Sequence, residues 1–462
     1  MLEFPFKFFS PEKQGNSMHG KILSNMSTRV TNFFKNKVPL VDKVTHFVKR
    51  RSKITAPLFV ETLVTGCLAD PKISLERLSY MMKERGVKVT RQGLDQRFTP
   101  EASLLMKSVF MESIQEFKTE RKEALNLLKP FHCVKIQDSS VITLPGSLKE
   151  RWKGSASGSE LKIQLLLDYM NHQILDVEVT AGNESDQGFN GHLDEIKEGE
   201  LYLQDLGYFK LNNFEKINQH GAYFISRYLY PTGLFDDRGQ PIELLEKLKA
   251  GPERLSLKVR LGKKVSLPVR LICFRLSNED AQKRIRKIMK KGQRRGKAPK
   301  EKTLEIARWS IYITNVGEDL LKDDQVHLIY SLRWQIELLF KVSKTEAKID
   351  RISSQKEHRI LCELYAKLIC IVSLMYMCFP IRWLEDQECS LQKAYHLWRL
   401  KASDFFKGLK STYRLRLFLE DFLNDLTVFS LKDRYRKKRR LSYQRLMDSV
   451  AQEHLAAEGG LA

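Results

Sequence analysis

The hydrophobic period changes along this chain. Up to about residue 130, apolar positions recur every three or four residues, the spacing of helices buried on one side. There the period drops to two. "HCVKIQDSS" alternates as a strand does and ends on Asp138. "LKIQLLLDYM" (161–170) and "QILDVEVTAG" (173–182) predict two more strands, and a short helical segment follows at 187–198. "ELYLQDLGYF" predicts a short apolar strand ending on Asp205, with Gly207 as its breaker. A helix near 210–219 and a strand near 222–228 complete the run.

Three strands, a helix, a strand, a helix and a strand is the element order of a ribonuclease H-like α/β core. In such a core the first and fourth strands lie side by side. Residues 229–305 fit that order poorly and read as an insertion. They carry the strand-like "LSLKVRLGKKVSLPVRLICFRL", turning at Gly262, and then a basic helix and loop, "AQKRIRKIMKKGQRRGKAPKEK". "RWSIYITNV" (308–316) is a strand that leads back into the core. The predicted organisation is therefore a helical N-terminal region (1–130), a ribonuclease H-like core (131–350) interrupted by a β-rich insertion with a basic arm (229–305), and a helical C-terminal region (351–462). Glu363 and Lys367 interrupt the most apolar segment, Ile360 to Phe379, so it reads as a buried core helix rather than a membrane span.

Near the N-terminus, "SLERLSYMMKERGVKVTRQGLDQRFT" predicts two short helices around a turn. Ser74 and Thr90 are the N-caps and Gly86 the left-handed residue between them. The second helix opens with Arg91 and Gln92, residue types that reach base edges. The segment resembles a helix-turn-helix; an ordinary helical hairpin has the same pattern.

Charge narrows the choice of partner. Lys plus Arg number 79 against 56 Asp plus Glu, giving a net charge of +23. Such a surplus points to a polyanion: nucleic acid first, an anionic membrane surface second. Eleven Lys or Arg and one acid lie between Lys283 and Lys302, and a second run, "RYRKKRR", spans Arg434 to Arg440. Seven cysteines with no C-x-x-C pair read as reduced thiols of a cytosolic protein without a zinc site. "MLEFPFKFFSPEKQ" shows no signal-peptide pattern.

Candidate chemistry sits on "IYSLRWQIELLFKVSK", Ile329 to Lys344. At about 100° per residue, with Tyr330 at zero, Arg333 falls near about −60°, Glu337 about −20°, Lys341 about +20° and Lys344 about −40°. Ile329, Leu332, Ile336, Leu339 and Phe340 take roughly the opposite side, which a core would bury. One carboxylate thus stands among four donor groups. A solvated face with spaced ion pairs would show the same stripe. Two predicted strands end on Asp138 and Asp205, and the ends of a first and a fourth strand meet in this type of core. With Glu337 they would form three clustered carboxylates, which repel one another unless divalent metal holds them. Magnesium takes such hard oxygen ligands, and two ions about 4 Å apart serve displacement at phosphorus. Asp168, Asp176, Asp186 and Asp194 lie nearby and compete for these roles. Asp168 is the strongest rival, because it too follows an apolar strand.

Tyr330, Arg333, Glu337 and Lys344 match Y-(2)-R-(3)-E-(6)-K without a gap, and Asp205-Leu206-Gly207-Tyr208 matches D-(1)-G-(Y/F). Over 131–345 the chain therefore resembles the DDE transposases of the insertion-sequence-four family. The resemblance implies that Asp138, Asp205 and Glu337 bind two Mg2+ ions, with Mn2+ as a substitute. It implies that Tyr330, Arg333, Lys341 and Lys344 contact phosphates near the element end. It sets Trp309 where some members stack a flipped base, although a strand-start tryptophan in the core fits that position equally. It further implies a cytoplasmic, nucleoid-associated bacterial enzyme that cuts element ends at their terminal inverted repeats. The enzyme would join those ends to target DNA and act as a homodimer on it, with no membrane partner. A DNA-binding regulator with a decayed site, or a metal-dependent nuclease or resolvase on the same core, are the alternatives.

Overall fold

The computed structural model describes residues 18–119, 126–155, 158–385 and 389–432. They fold into two compact units, 126–340 in one and 18–119 with 341–432 in the other. The basic run at 434–440 lies outside the described residues.

The first unit is mixed α/β, built on a nine-stranded sheet. Its strands are β1 (Cys133–Leu144), β2 (Ser159–Asp168), β3 (Gln173–Ala181), β4 (Glu200–Gln204), β5 (Tyr223–Arg227), β6 (Leu234–Phe235), β7 (Arg254–Leu261), β8 (Leu267–Arg275) and β9 (Trp309–Thr314). The order across the sheet is β3-β2-β1-β4-β5-β9-β8-β7-β6. β1, β2 and β3 form an antiparallel meander, and β1, β4 and β5 run parallel. The expected neighbours, first strand and fourth, are hydrogen-bonded. β4 is buried along its whole length, as a central parallel strand covered on both faces must be.

Three local expectations change. β1 does not end on Asp138 but continues to Leu144, because Ser139 to Leu144 keep pairing with β2 after the β4 ladder has stopped. The helical stretch expected at 187–198 is two 3-10 turns, Asp186–Gly188 and Gly191–Glu195, since Gly188 and Gly191 withhold the helix propensity the pattern would need. The strands of 229–305 extend the main sheet: β8 pairs with β9 from Arg270↔Thr314 to Arg275↔Trp309. Gly262 turns the β7–β8 hairpin at φ 76°, as its position predicts. Leu267, Leu271 and Cys273 consequently share one core with Tyr202, Phe214 and Phe224.

The second unit is helical. The helix Glu357–Glu385 packs against Pro100–Glu116 and Ala56–Ala69. The two charges that interrupt its apolar run are satisfied inside the protein. Glu363 accepts from Arg359 Nε (2.8 Å) and Ser353 Oγ (2.7 Å), while Lys367 Nζ donates to the carbonyls of Lys348 (3.0 Å) and Arg351 (3.2 Å). The helix is long and apolar enough to cross a membrane, yet 94% of its most apolar window is buried within the protein, as befits a core helix. Ser74 and Thr90 cap their helices, each hydroxyl accepting at 3.1 Å from Arg77 N and Gly93 N, and Gly86 takes φ 83°. The second of these helices, Arg91–Asp95, is five residues long and exposes Arg91 and Gln92.

Candidate active site

Register brings the two aspartates level. The last parallel pair between β1 and β4 is Ile136↔Leu203, and Asp138 and Asp205 each lie two residues beyond it. Neighbouring strands run about 4.8 Å apart, so the two aspartates stand side by side where the parallel β1–β4 ladder stops. The residues just before them zip the strands together: Gln204 Nε2 donates to Gln137 Oε1 (3.2 Å), and Gln137 Nε2 donates to the carbonyl of Phe189 (3.0 Å).

The segment that bears Glu337 is broken. A helix runs from Asp323 to Tyr330, a 3-10 turn covers Ser331–Arg333, and a second helix runs from Trp334 to Thr345. Ser331 Oγ donates to the Leu328 carbonyl at 2.6 Å across the break. Ile329, Leu332, Ile336, Leu339 and Phe340 are all buried, as the apolar stripe predicts. Tyr330 is buried too, at 8% exposure, and its hydroxyl donates to the Gln204 carbonyl at 3.4 Å.

Arg333 lies between carboxylates. Its Nη2 donates to Glu337 Oε1 at 2.5 Å, and its Nη1 is 3.9 Å from Asp138 Oδ2. Burial opposes the Arg333 charge, but Tyr330, Asp205 and Glu337 outweigh it and raise its pKa above the ordinary value. Burial pushes Asp138 up to about 6; the Ser139 N–H (2.8 Å) and Arg333 pull it down, while Glu337 and Asp205 push it further up. Asp138 therefore feels the charges of Arg333, Glu337 and Asp205 together.

Among the described residues, no three His, Cys, Asp or Glu side chains stand close enough together to hold a metal ion as they are. The donor set still suits a hard dication. It offers only carboxylate oxygens, half-buried and mutually repelling, with a guanidinium already seated between two of them.

A family model for the transposase DDE domain matches residues 129–373, more than half of the chain. This chain belongs to the DDE transposase family. Two relatives match over most of their own length. The transposase for insertion sequence element IS231F of Bacillus thuringiensis subsp. israelensis is 29% identical, over 85% of this chain and 88% of its own length. The transposase for insertion sequence element IS1151 of Clostridium perfringens is 27% identical, over 87% and 92%. A solved piggyBac transposase synaptic complex with hairpin DNA aligns over 90% of this chain at 10% identity and TM-score 0.49, a likeness too loose to fix the fold.

The structure explains why the transposase carries glycine and tyrosine after Asp205. Asp186 Oδ1 accepts from Ser139 Oγ (2.9 Å), Lys162 Nζ (3.0 Å) and Gln164 Nε2 (3.1 Å). Tyr208 OH donates to Gln164 Oε1 at 2.6 Å. A Cβ on Gly207 would sit 3.3 Å from Asp186 Oδ2, so glycine lets the turn after Asp205 close against this network. Asp186 thus braces the residues beside Asp138 and Asp205. Sequence reasoning held Asp186 only as a competitor and missed Ser139, Lys162 and Gln164, whose polar types at alternate strand positions were the available signal.

The other rivals are accounted for locally. Asp168 is buried at the end of β2 and accepts from Met170 N (2.9 Å) and Asn171 Nδ2 (2.7 Å) of the following turn. Asp194 pairs with Lys216 at 2.8 Å, and Asp176 is half-buried on β3. Trp309 is 8% exposed and belongs to the core, its carbonyl accepting from Arg284 Nη1 at 2.6 Å. Lys341 is exposed and Lys344 half-buried, about one and two turns past Glu337 on the same helix. Two residues near the carboxylates escaped the sequence reading. Arg227 ends β5, and its charge favours ionisation of the buried Tyr330 phenol, whose pKa burial and then Asp205 raise. Trp334, 53% exposed, follows Arg333 at the start of the second helix.

Proposed function

We propose that this DDE transposase cuts the ends of an insertion sequence and joins them to target DNA at a site formed by Asp138, Asp205 and Glu337. The observation that carries the reading is the level placement of Asp138 and Asp205, each two residues past the last parallel β1–β4 pair, with Arg333 reaching both Asp138 and Glu337. The order β3-β2-β1-β4-β5, with β1, β4 and β5 parallel, supports reading the core as ribonuclease H-like.

Both chemical steps are in-line displacements at phosphorus. In the first, water attacks a phosphodiester at the element end and the 3′ oxygen leaves as a hydroxyl. In the second, that hydroxyl attacks a target phosphodiester, forming one P–O bond as another breaks. Asp138, Asp205 and Glu337 would hold two Mg2+ ions, or Mn2+ in their place; such ions, when bound, supply Lewis-acid stabilisation of attacking and leaving oxygens. Arg333 exchanges its contact with Glu337 for a bidentate grip on the two non-bridging oxygens of a phosphate. Lys341 and Lys344 add phosphate contacts, and the buried Tyr330 fixes the Asp205 end of β4 through the Gln204 carbonyl. Arg91 and Gln92 offer a further DNA contact. Two ends must be handled together, so the DNA-bound form is a homodimer.

The test incubates the protein with labelled DNA bearing the element's terminal inverted repeats and magnesium. Strand-transfer products support the proposal. Cleavage without transfer favours a nuclease or resolvase, and binding alone favours a regulator. Glu337→Ala should abolish cleavage while leaving DNA binding within about twofold; a variant that still cuts removes Glu337 from the site.

A further inference from the structure

The helix Asn278–Arg294 plays no part in the carboxylate site, and its charges are sorted by direction. Ala281 is buried, and Ile285, Ile288 and Gly292 are half-buried on its inner side. Arg284 also turns inward: its Nη1 donates to the Trp309 carbonyl at 2.6 Å and its Nη2 to Ser310 Oγ at 3.2 Å, pinning the helix to β9. Lys283 is occupied by Glu279 (2.6 Å) and Asp280 (3.5 Å) in the first turn. Arg286, Lys287, Lys290, Lys291 and Arg294 are all exposed, and among the described residues none of the five has an ion-pair partner. With Arg286 at zero they fall at about 0°, 100°, 40°, 140° and 80°, within an arc of about 140°. Ala281, Ile285, Ile288 and Gly292 fall between about 200° and 260°, and Arg284 at about 160°.

We propose that this cationic stripe is a sequence-independent seat for the phosphate backbone of duplex DNA, separate from the carboxylates. The proposal rests on the transposase reading for why DNA is at hand. From Arg286 to Arg294 the helix rises about 12 Å, a length of duplex axis that carries about seven phosphates. Five cations on one face, fixed to a sheet strand by Arg284, match that line of charge. A membrane surface fits less well. An interfacial helix presents an apolar face to lipid, whereas here the isoleucines face the protein and Met289, 40% exposed, is the one large apolar side chain exposed on the helix.

The experiment measures binding of the full chain to a random-sequence duplex, in chelator, across a series of salt concentrations. The variant is Arg286→Gln/Lys290→Gln/Lys291→Gln/Arg294→Gln. A charge-matched control carries Lys43→Gln/Lys149→Gln/Lys247→Gln/Lys249→Gln, all exposed lysines elsewhere. Each phosphate that the protein no longer neutralises lowers the slope of log Kobs against log salt by about 0.9, so the variant's slope should fall by up to about 3.6 and its binding should weaken at least about tenfold at low salt. The control should keep the parent slope. An unchanged slope in the variant, or an equal loss in the control, overturns the proposal. So does loss of binding to anionic phosphatidylserine vesicles with duplex binding intact. Circular dichroism melts establish that both variants fold. Because the assay contains no metal and no element ends, its failure leaves the cleavage result standing, and failure to cleave leaves this result standing.

Discussion

Beneath the aspartates, β1 and β4 are joined by a buried ion pair. Lys135 Nζ lies 2.7 Å from Glu200 Oε2, with side chains 9% and 7% exposed. Tyr202 OH donates to the same oxygen (3.0 Å), as does Lys197 N–H (3.1 Å), and Lys135 also stands 5.0 Å over the Tyr202 ring. Removing one partner of a buried pair costs about 3–5 kcal/mol, because the other is left charged and dry. Lys135→Met should fall at the lower end, about 3 kcal/mol, since Glu200 keeps two donors. Glu200→Leu should fall nearer about 5 kcal/mol, since Lys135 keeps no carboxylate, only the phenol oxygen (3.1 Å) and ring of Tyr202. The double variant, which buries two apolar groups in place of two charges, should lie within about 1 kcal/mol of the parent. Urea unfolding of the four proteins closes the cycle and gives a coupling energy of several kcal/mol, about two decades or more in the folded-to-unfolded ratio. Additive single losses, or a loss below about 1 kcal/mol for Lys135→Met, would refute the coupled-pair reasoning.

Two further predictions concern the same unit. His192 is 8% exposed, and burial, reinforced by the Lys135 charge, lowers its pKa to about 4. The unfolded chain takes up that proton first, so this contribution to stability is complete above about pH 6.5 and is lost as pH falls towards 4, about 3 kcal/mol in all. His192→Phe should flatten the stability difference between pH 7 and pH 5 by about 2 kcal/mol; an equal pH dependence in both proteins would exclude His192 as the cause. The two tryptophans should separate in thermal melts. Trp309→Ala removes a core ring and should cost about 3–5 kcal/mol, whereas Trp334→Ala at an exposed position should stay within about 0.5 kcal/mol. Similar losses at both sites would contradict the burial described here.

Local chemistry made much of this protein legible. The strands read at 161–170 and 173–182 become β2 and β3 within two residues at each end, because apolar, β-branched runs bounded by turn residues favour extended pairing. Ser74, Thr90, Gly86 and Gly262 act where they stand, since a cap or a left-handed residue needs only its immediate neighbours. The apolar stripe from Ile329 to Phe340 announced its buried side in the same way.

Other features depended on partners far away in the chain. Asp138 looked like a strand end, yet it lies inside β1, because Leu165 and the residues beyond continue the ladder on the other side. The period-3.6 wheel put Tyr330 on the polar stripe, but the 3-10 turn at Ser331–Arg333 and the Gln204 carbonyl draw it into the interior. Strands that read as a separate insertion join β9, because an open sheet edge with unpaired N–H and C=O groups accepts any strand with matching apolar faces.

By itself, then, the sequence determined most of the strands and long helices, the caps and turns, and the residue kinds from which a phosphoryl-transfer site could be made. Those follow from interactions within a few residues, where period and side-chain chemistry are decisive. Only the tertiary structure decided that Asp138 and Asp205 stand level, that Arg333 separates Asp138 from Glu337, and that Asp186 braces the turn at Gly207. Those are matters of strand register and packing between residues tens to hundreds of positions apart, and no local period encodes them.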